Sequence, residues 1–178
     1  MTTNVDTSAK GVGGPFCANE TSAKGARGPF CATEKSSFVY VTFIRTTPQR
    51  LWSALTGAEF MKEYWFGMHF KTEWKAGAQW ELLFPDGRVA DTGEIVELEP
   101  PKRLVLKWRN EFKPELKAEG YARCTIELEP VSDAVKLTIT HTMERADSRL
   151  IQAVSGGWPR ILSNLKSLLE TGEIVLKA

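Results

Sequence analysis

The chain has 178 residues, a hydrophobic fraction of 42%, a charged fraction of 25% and a formal net charge of +1. That length favours one domain with a sizeable core, and the balanced charge gives no basic stripe of the kind that holds nucleic acid or an anionic membrane. No apolar run reaches the roughly 20 residues that cross a bilayer, no basic-then-apolar leader opens the chain, and three cysteines make no disulfide framework, so a cytoplasmic protein with reduced thiols and no membrane insertion is expected.

Residues 7–20 read TSAKGVGGPFCANE and residues 21–34 read TSAKGARGPFCATE, a duplication of period 14. A unit of Gly, Ala and Ser with one Phe-Cys pair cannot bury enough apolar area to offset the entropy of ordering it. Two copies also fall short of the array that a solenoid needs. Residues 1–36 are therefore expected to be a flexible tail, and residues 37–178 a folded domain. Cys17 and Cys31, with thirteen residues between them and no nearby histidine, make a weak thiol pair for redox or metal chemistry.

Residues 38–44, FVYVTFI, are β-branched and aromatic, which favours a strand. Thr46-Thr47-Pro48 then supplies a capping hydroxyl and a proline for the first helical position, and Leu51, Trp52 and Leu55 follow at helical spacing up to Thr56-Gly57. Residues 59–64 read as a second short helix carrying Phe60.

From there the period changes to two, and six strands are expected, five of which the alternation places on residues. Trp80, Leu82 and Phe84 share a face before a Pro85-Asp86-Gly87 turn, and residues 89–98 form the return strand. Leu104, Leu106 and Trp108 share the next inward face, and residues 111–119 read as a polar loop. Ala122, Cys124, Ile126 and Leu128 alternate with polar residues, as do Val135, Leu137, Ile139 and His141.

The last element is helical, with Trp158, Ile161, Leu162, Leu165, Leu168 and Leu169 on one stripe and Gly172 as a stop. Residues 147–155 read as an earlier helical segment that Gly156-Gly157 and Pro159 should break or kink. An antiparallel sheet with one apolar face must cover it, and the final helix alone is long and apolar enough. The expected fold is α+β: a curved antiparallel sheet of about seven strands around a long C-terminal helix, with two short helices after strand 1.

The strings TPQRLWSALT (47–56), EYWFG (63–67), PDGRV (85–89), EPPKRLVLKW (99–108) and GGWPRILSNLKSLLETG (156–172), in this order, resemble the activator of heat-shock protein 90 ATPase homologue family. That family belongs to the START and birch-pollen-allergen-like (SRPBCC) superfamily. The resemblance covers residues 38–172. It implies the helix-grip fold, an apolar cavity between sheet and helix that holds a hydrophobic small molecule, and a chaperone partner in the stress response.

For chemistry the chain offers little. His69 and His141 are 72 residues apart with no zinc-type spacing, so no metal is expected. No glycine-rich phosphate loop precedes a helix, so no nucleotide cofactor is expected either. No G-x-S-x-G string is present, and Cys124 lies among core positions, so no catalytic residues are assigned. The candidate cavity lining is Trp52, Phe66, Phe70, Trp80, Leu106, Trp108, Ile126, Ile139, His141, Trp158 and Leu162, since small-molecule pockets are mostly apolar with a few polar groups.

His141 follows Val135, Leu137 and Ile139 onto the inward face, where an imidazole could anchor a ligand or exchange a proton near neutral pH, with Glu94 or Glu111 as partner. Binding of a hydrophobic small molecule without covalent chemistry is the leading expectation. The alternatives are a cyclase or hydrolase using His141, and a co-chaperone stimulating a heat-shock-protein-90 ATPase. An exposed Trp74 would favour a homodimer.

Overall fold

The computed structural model describes residues 34–177. The expected tail over 1–36, apart from its last three residues, and the pairing of Cys17 with Cys31 lie outside the described residues.

The chain runs β1 (Ser36–Ile44), α1 (Pro48–Thr56), α2 (Ala58–Tyr64), β2 (His69–Thr72), β3 (Gln79–Leu83), β4 (Val89–Glu99), β5 (Arg103–Asn110), α3 (Pro114–Lys117), β6 (Ala122–Val131), β7 (Ala134–Met143) and α4 (Arg149–Thr171). The seven strands form one antiparallel sheet in the order β1-β7-β6-β5-β4-β3-β2. Register shifts at Leu82/Leu83 and at Ile95/Glu97 bend the strands around the helix, as bulges do. This is the helix-grip architecture expected from the sequence.

Local chemistry sets the helix ends. Thr47 Oγ1 accepts from the Arg50 N–H at 3.2 Å ahead of Pro48, and Ser148 Oγ accepts from the Ile151 N–H at 3.1 Å. Gly172 closes α4 at φ +84°, a left-handed conformation that glycine adopts without a Cβ penalty.

Helix α4 differs from expectation at one point. It runs unbroken through Gly156, Gly157 and Pro159. Ser155, whose carbonyl loses its helical donor to proline, is half-exposed and can be served by water. Burial of Leu150, Ile151, Trp158, Ile161 and Leu162 on one face outweighs the poor local propensity.

Residues 111–119, expected as a loop, hold the short helix α3 between two bends. Helix α4 packs on β1, β7 and α2, and its six predicted stripe residues are all buried. On the other side of β1, Val39, Val41 and Phe43 form an exposed apolar row along an edge strand.

Candidate ligand-binding site

The concave face of the sheet is rich in aromatic residues, and their packing decides where space remains. Trp80 and Trp108 meet at 4.7 Å between ring centroids, and Phe70 stands edge-on to Trp80 at 5.1 Å. Trp65 lies 5.2 Å from Trp158 and almost parallel to Trp108 at 6.4 Å. Side chains fill the centre of the space under α4. Toward α3 they leave a pocket of about 260 Å³.

Helix α4 contributes Leu150, Ala153, Val154, Gly157, Trp158 and Ile161 to this pocket. The sheet contributes Leu82, Asp91, Trp108 and Asn110. Trp65, Met68, Phe84, Phe112, Lys113 and Leu116 complete it from the connecting segments. Beyond its chain neighbours and its own helix backbone, a Cβ placed on Gly157 would meet no atom within 4 Å, so the missing side chain is part of the open space. A wider hollow of about 540 Å³ at the α1 end of the sheet is lined by charged residues such as Glu99, Lys102, Arg103 and Glu129 and does not reach the aromatic core.

Asp91 and Asn110 are the polar groups in the pocket wall that are themselves buried, at 8% and 5% exposure. They are register partners on β4 and β5, and Asn110 Nδ2 donates to Asp91 Oδ1 at 2.9 Å. Burial raises the Asp91 carboxyl to about 6, with the Asn110 amide and the Trp108 indole working against it and the charge of Glu111 adding to it. Neighbouring Glu111 is different. Burial opposes its charge, but hydrogen bonds from Lys117, Thr92 and Arg109 hold its carboxyl at about 2.

Asp91 therefore carries a stability cost that depends on pH. Its folded value lies above the ordinary 3.8, so its contribution is full below that value and is lost as pH rises through about 6. Asp91→Asn, which keeps an oxygen to accept from Asn110, should raise stability at pH 8 by about 2–3 kcal/mol and change it little at pH 4. Urea denaturation of the two proteins at both pH values checks this. An equal effect at both would show that the carboxylate is not strained.

Of the sequence-predicted lining residues, Trp108 and Trp158 reach the pocket. Phe70, Trp80, Leu106, Ile126, Ile139, His141 and Leu162 lie in the buried core around it. Trp52 is half-buried on α1, and Phe66 is half-buried under the guanidinium of Arg160, 5.3 Å from its ring centroid. The alternation that points a side chain inward does not say whether its neighbours close over it.

His141 is fully buried between Trp108 and Trp158, at 5.5 and 5.9 Å between ring centroids. Both its ring nitrogens lack a hydrogen-bond partner among the described residues, and burial lowers its pKa to about 3. The expectation that it exchanges protons near neutral pH is corrected accordingly: desolvation keeps the ring neutral. Neither expected carboxylate partner meets it, since Glu94 pairs with Lys107 and Glu111 with Arg109 and Lys117. Trp74 is likewise not an exposed aromatic in need of cover. It is half-buried against Phe70, and its indole donates to the Thr56 carbonyl at 3.0 Å.

Sequence reasoning missed Asp91, Asn110, Gly157 and the aromatic pair Phe84 and Phe112, which meet edge to face at 5.2 Å. For the polar pair a signal existed. Asn110 continues the inward series Leu104, Leu106 and Trp108, and Asp91 sits two residues before buried Gly93 and four before Ile95. A polar residue on an otherwise apolar strand face is the more informative kind of burial.

The α3 wall is fastened to α4 through Glu119. Its carboxylate accepts from Ser148 Oγ at 2.6 Å and from the Arg149 and Leu150 N–H groups at 3.0 and 3.2 Å, a favourable place for an anion at a helix start. Burial opposes the charge, but these donors lower the carboxyl below its ordinary 4.5. A depressed carboxylate contributes fully above its unfolded value and loses that contribution on acidification. Glu119→Gln should cost about 1 kcal/mol at pH 7. The gap from the parent protein should shrink by pH 3, which thermal denaturation at the two pH values would read. A gap that persisted at pH 3 would exclude the charge as its source.

Among the described residues no group of three or more His, Cys, Asp or Glu side chains could hold a metal ion, and no helix is long and apolar enough to cross a membrane.

Comparison with known proteins gives a family and a fold. A family model described as "Activator of Hsp90 ATPase homolog 1-like protein" matches residues 45–170. None of the curated proteins compared matches the chain. Among solved structures, protein MLL2253 from Mesorhizobium loti is similar at 23% identity and a TM-score of 0.66, over 78% of this chain and 100% of that one. An Hsp90 activator from Plasmodium falciparum is similar at 23% identity and a TM-score of 0.61, over 75% of this chain and 95% of that one. The Aha1 dimer from Colwellia psychrerythraea gives 18% identity and a TM-score of 0.63, over 77% of this chain and 98% of that one. At these identities the likeness concerns the fold.

Proposed function

The chain belongs to the family of Activator of Hsp90 ATPase homolog 1-like proteins, and from that premise we propose that it binds a compact, mainly apolar small molecule in the pocket beside α4, without covalent chemistry. The observation that carries this reading is the 260 Å³ space walled by aromatic and aliphatic side chains, with one buried polar pair to orient a ligand. Apolar walls with a few placed polar groups are the usual make-up of such sites, and the volume suits a ligand smaller than most drug-sized molecules. Among the described residues no serine, cysteine, threonine or histidine lines the pocket, which supports binding over catalysis. Cys124 is fully buried away from the pocket with its thiol pushed up by desolvation, and His141 faces packed rings.

The test is a panel of small aromatics, polyketide-like compounds and fatty acids followed by tryptophan fluorescence, since Trp65, Trp108 and Trp158 all line the pocket. Gly157→Leu is the control, because its side chain would project into the space that is now open. Ligands that quench the parent protein should lose at least tenfold in affinity for this variant. Equal binding to both, or no binding from any class, would remove the proposal.

A second reading, action on a heat-shock-protein-90 ATPase, is favoured by the exposed row Val39, Val41 and Phe43, an apolar strip suited to a protein contact. ATP turnover of a chaperone from the same source, measured with and without this protein, decides it. An unchanged rate with no co-purification counts against it.

A further inference from the structure

We infer that the pocket selects ligands that carry a cationic amine on an apolar aromatic or alicyclic body, with Asp91 as the residue that reads the amine. This rests on the pocket reading above and names the ligand class for it.

The charge of Asp91 is unbalanced within the protein. Asp91 is 8% exposed and projects from β4 into the pocket wall. A buried carboxylate is ordinarily paired, because desolvation penalises the ion heavily. Here the groups that favour its charge are neutral, the Asn110 amide, whose Nδ2 donates to Oδ1, and the Trp108 indole, and among the described residues no lysine, arginine or histidine forms an ion pair with Asp91. The nearby cations Arg109 and Lys117 are both committed to Glu111. A ligand ammonium would supply the missing positive charge beside a carboxylate that is itself buried.

The walls favour the same chemistry. Trp65 and Trp108 present nearly parallel indoles and Trp158 a third, tilted by 60° to Trp65. Indole faces attract cations as well as apolar bodies. The groups facing Asp91 are few. Strand β3 brings Leu82 opposite it, β5 brings Asn110 and the Trp108 indole, α4 brings apolar residues and Gly157, and α3 brings Leu116. Glu111 acts on it by charge from beyond β5, and Lys113 lines the pocket with its ammonium 5.6 Å from the Phe112 ring centroid. Lys113 is the one group that would favour an acid instead, so the charge preference of the pocket is a direct measurement.

Three matched probes separate these cases by isothermal titration at pH 7.5: 2-(2-naphthyl)ethylamine, 2-(2-naphthyl)ethanol and 2-naphthylacetic acid. The amine is expected to bind at least tenfold more tightly than the alcohol, and the acid most weakly. Asp91→Asn should remove the amine's advantage over the alcohol, and a near-ultraviolet dichroism spectrum matching the parent's distinguishes lost charge recognition from lost folding. The advantage should also shrink when the parent protein is titrated at pH 5, as Asp91 takes up a proton. Equal binding of amine and alcohol, or tightest binding of the acid, would overturn the inference while leaving the pocket intact. If none of the three binds the parent protein, the pocket reading fails and this inference fails with it.

Discussion

Gly93→Ala is expected to lower stability by about 3 kcal/mol, the upper end for forcing atoms into a packed interior. In β4, Gly93 faces Trp80 of β3 on one side and Trp108 of β5 on the other. A Cβ at this position would lie 1.8 Å from the Lys107 carbonyl oxygen and 2.8 Å from Trp80 Cζ2. The first obstacle is backbone in the adjoining strand, so a rotamer change cannot relieve it and the strands must separate. The missing side chain is also what lets the two indoles meet at 4.7 Å. Urea unfolding should show a lower midpoint together with a weaker near-ultraviolet dichroism signal from the displaced tryptophans. A variant within about 0.5 kcal/mol of the parent, as for an ordinary surface change, would mean that the aromatic cluster does not depend on this close approach.

Trp158→Ala is expected to cost about 4 kcal/mol, in the range for truncating a buried tryptophan. Trp158 is 3% exposed and packs against Trp65, His141 and Trp108 while also lining the pocket. Removing it merges pocket and core and takes away the contact that holds α4 over the rings. Trp158→Phe should retain most of the stability, because an aromatic ring remains in the same slot. Both are read from denaturant midpoints. A loss below about 1 kcal/mol for the alanine variant would show that α4 is held elsewhere along its length.

Where chemistry is local, the sequence was readable. The Thr47-Pro48 start of α1, the turn at Gly87 with φ +83°, and the stop at Gly172 each follow from the conformational range of one or two residues. The stripe of α4 followed from its period. The continuity of α4 through Pro159 was not readable, because tertiary burial overrode a local preference against helix. Strand β2, four residues with one buried side chain at Phe70, was too short to show a period.

The site was legible in part for a related reason. Periodicity places Trp108 and Trp158 inward, and they do line the pocket, but it places Leu106, Ile126 and Ile139 inward equally well, and those meet one another and close the space. What separates a void from a packed interior here is an omission, the absent side chain at Gly157, together with two polar residues, Asp91 and Asn110, at the ends of apolar series. In the sequence Gly157 reads as a helix breaker. Placed inside an unbroken helix, where a glycine costs about 1 kcal/mol relative to alanine, it reads as room kept beside the tryptophans.

The measurement that bears most directly on the proposed role is a crystal structure of the protein soaked with its tightest-binding compound. Ligand density is expected between α4 and strands β3 to β5, against Gly157 and Trp158 and within hydrogen-bonding reach of Asp91. Density on the outer face of the sheet, or a pocket left empty beside a ligand bound elsewhere, would contradict it.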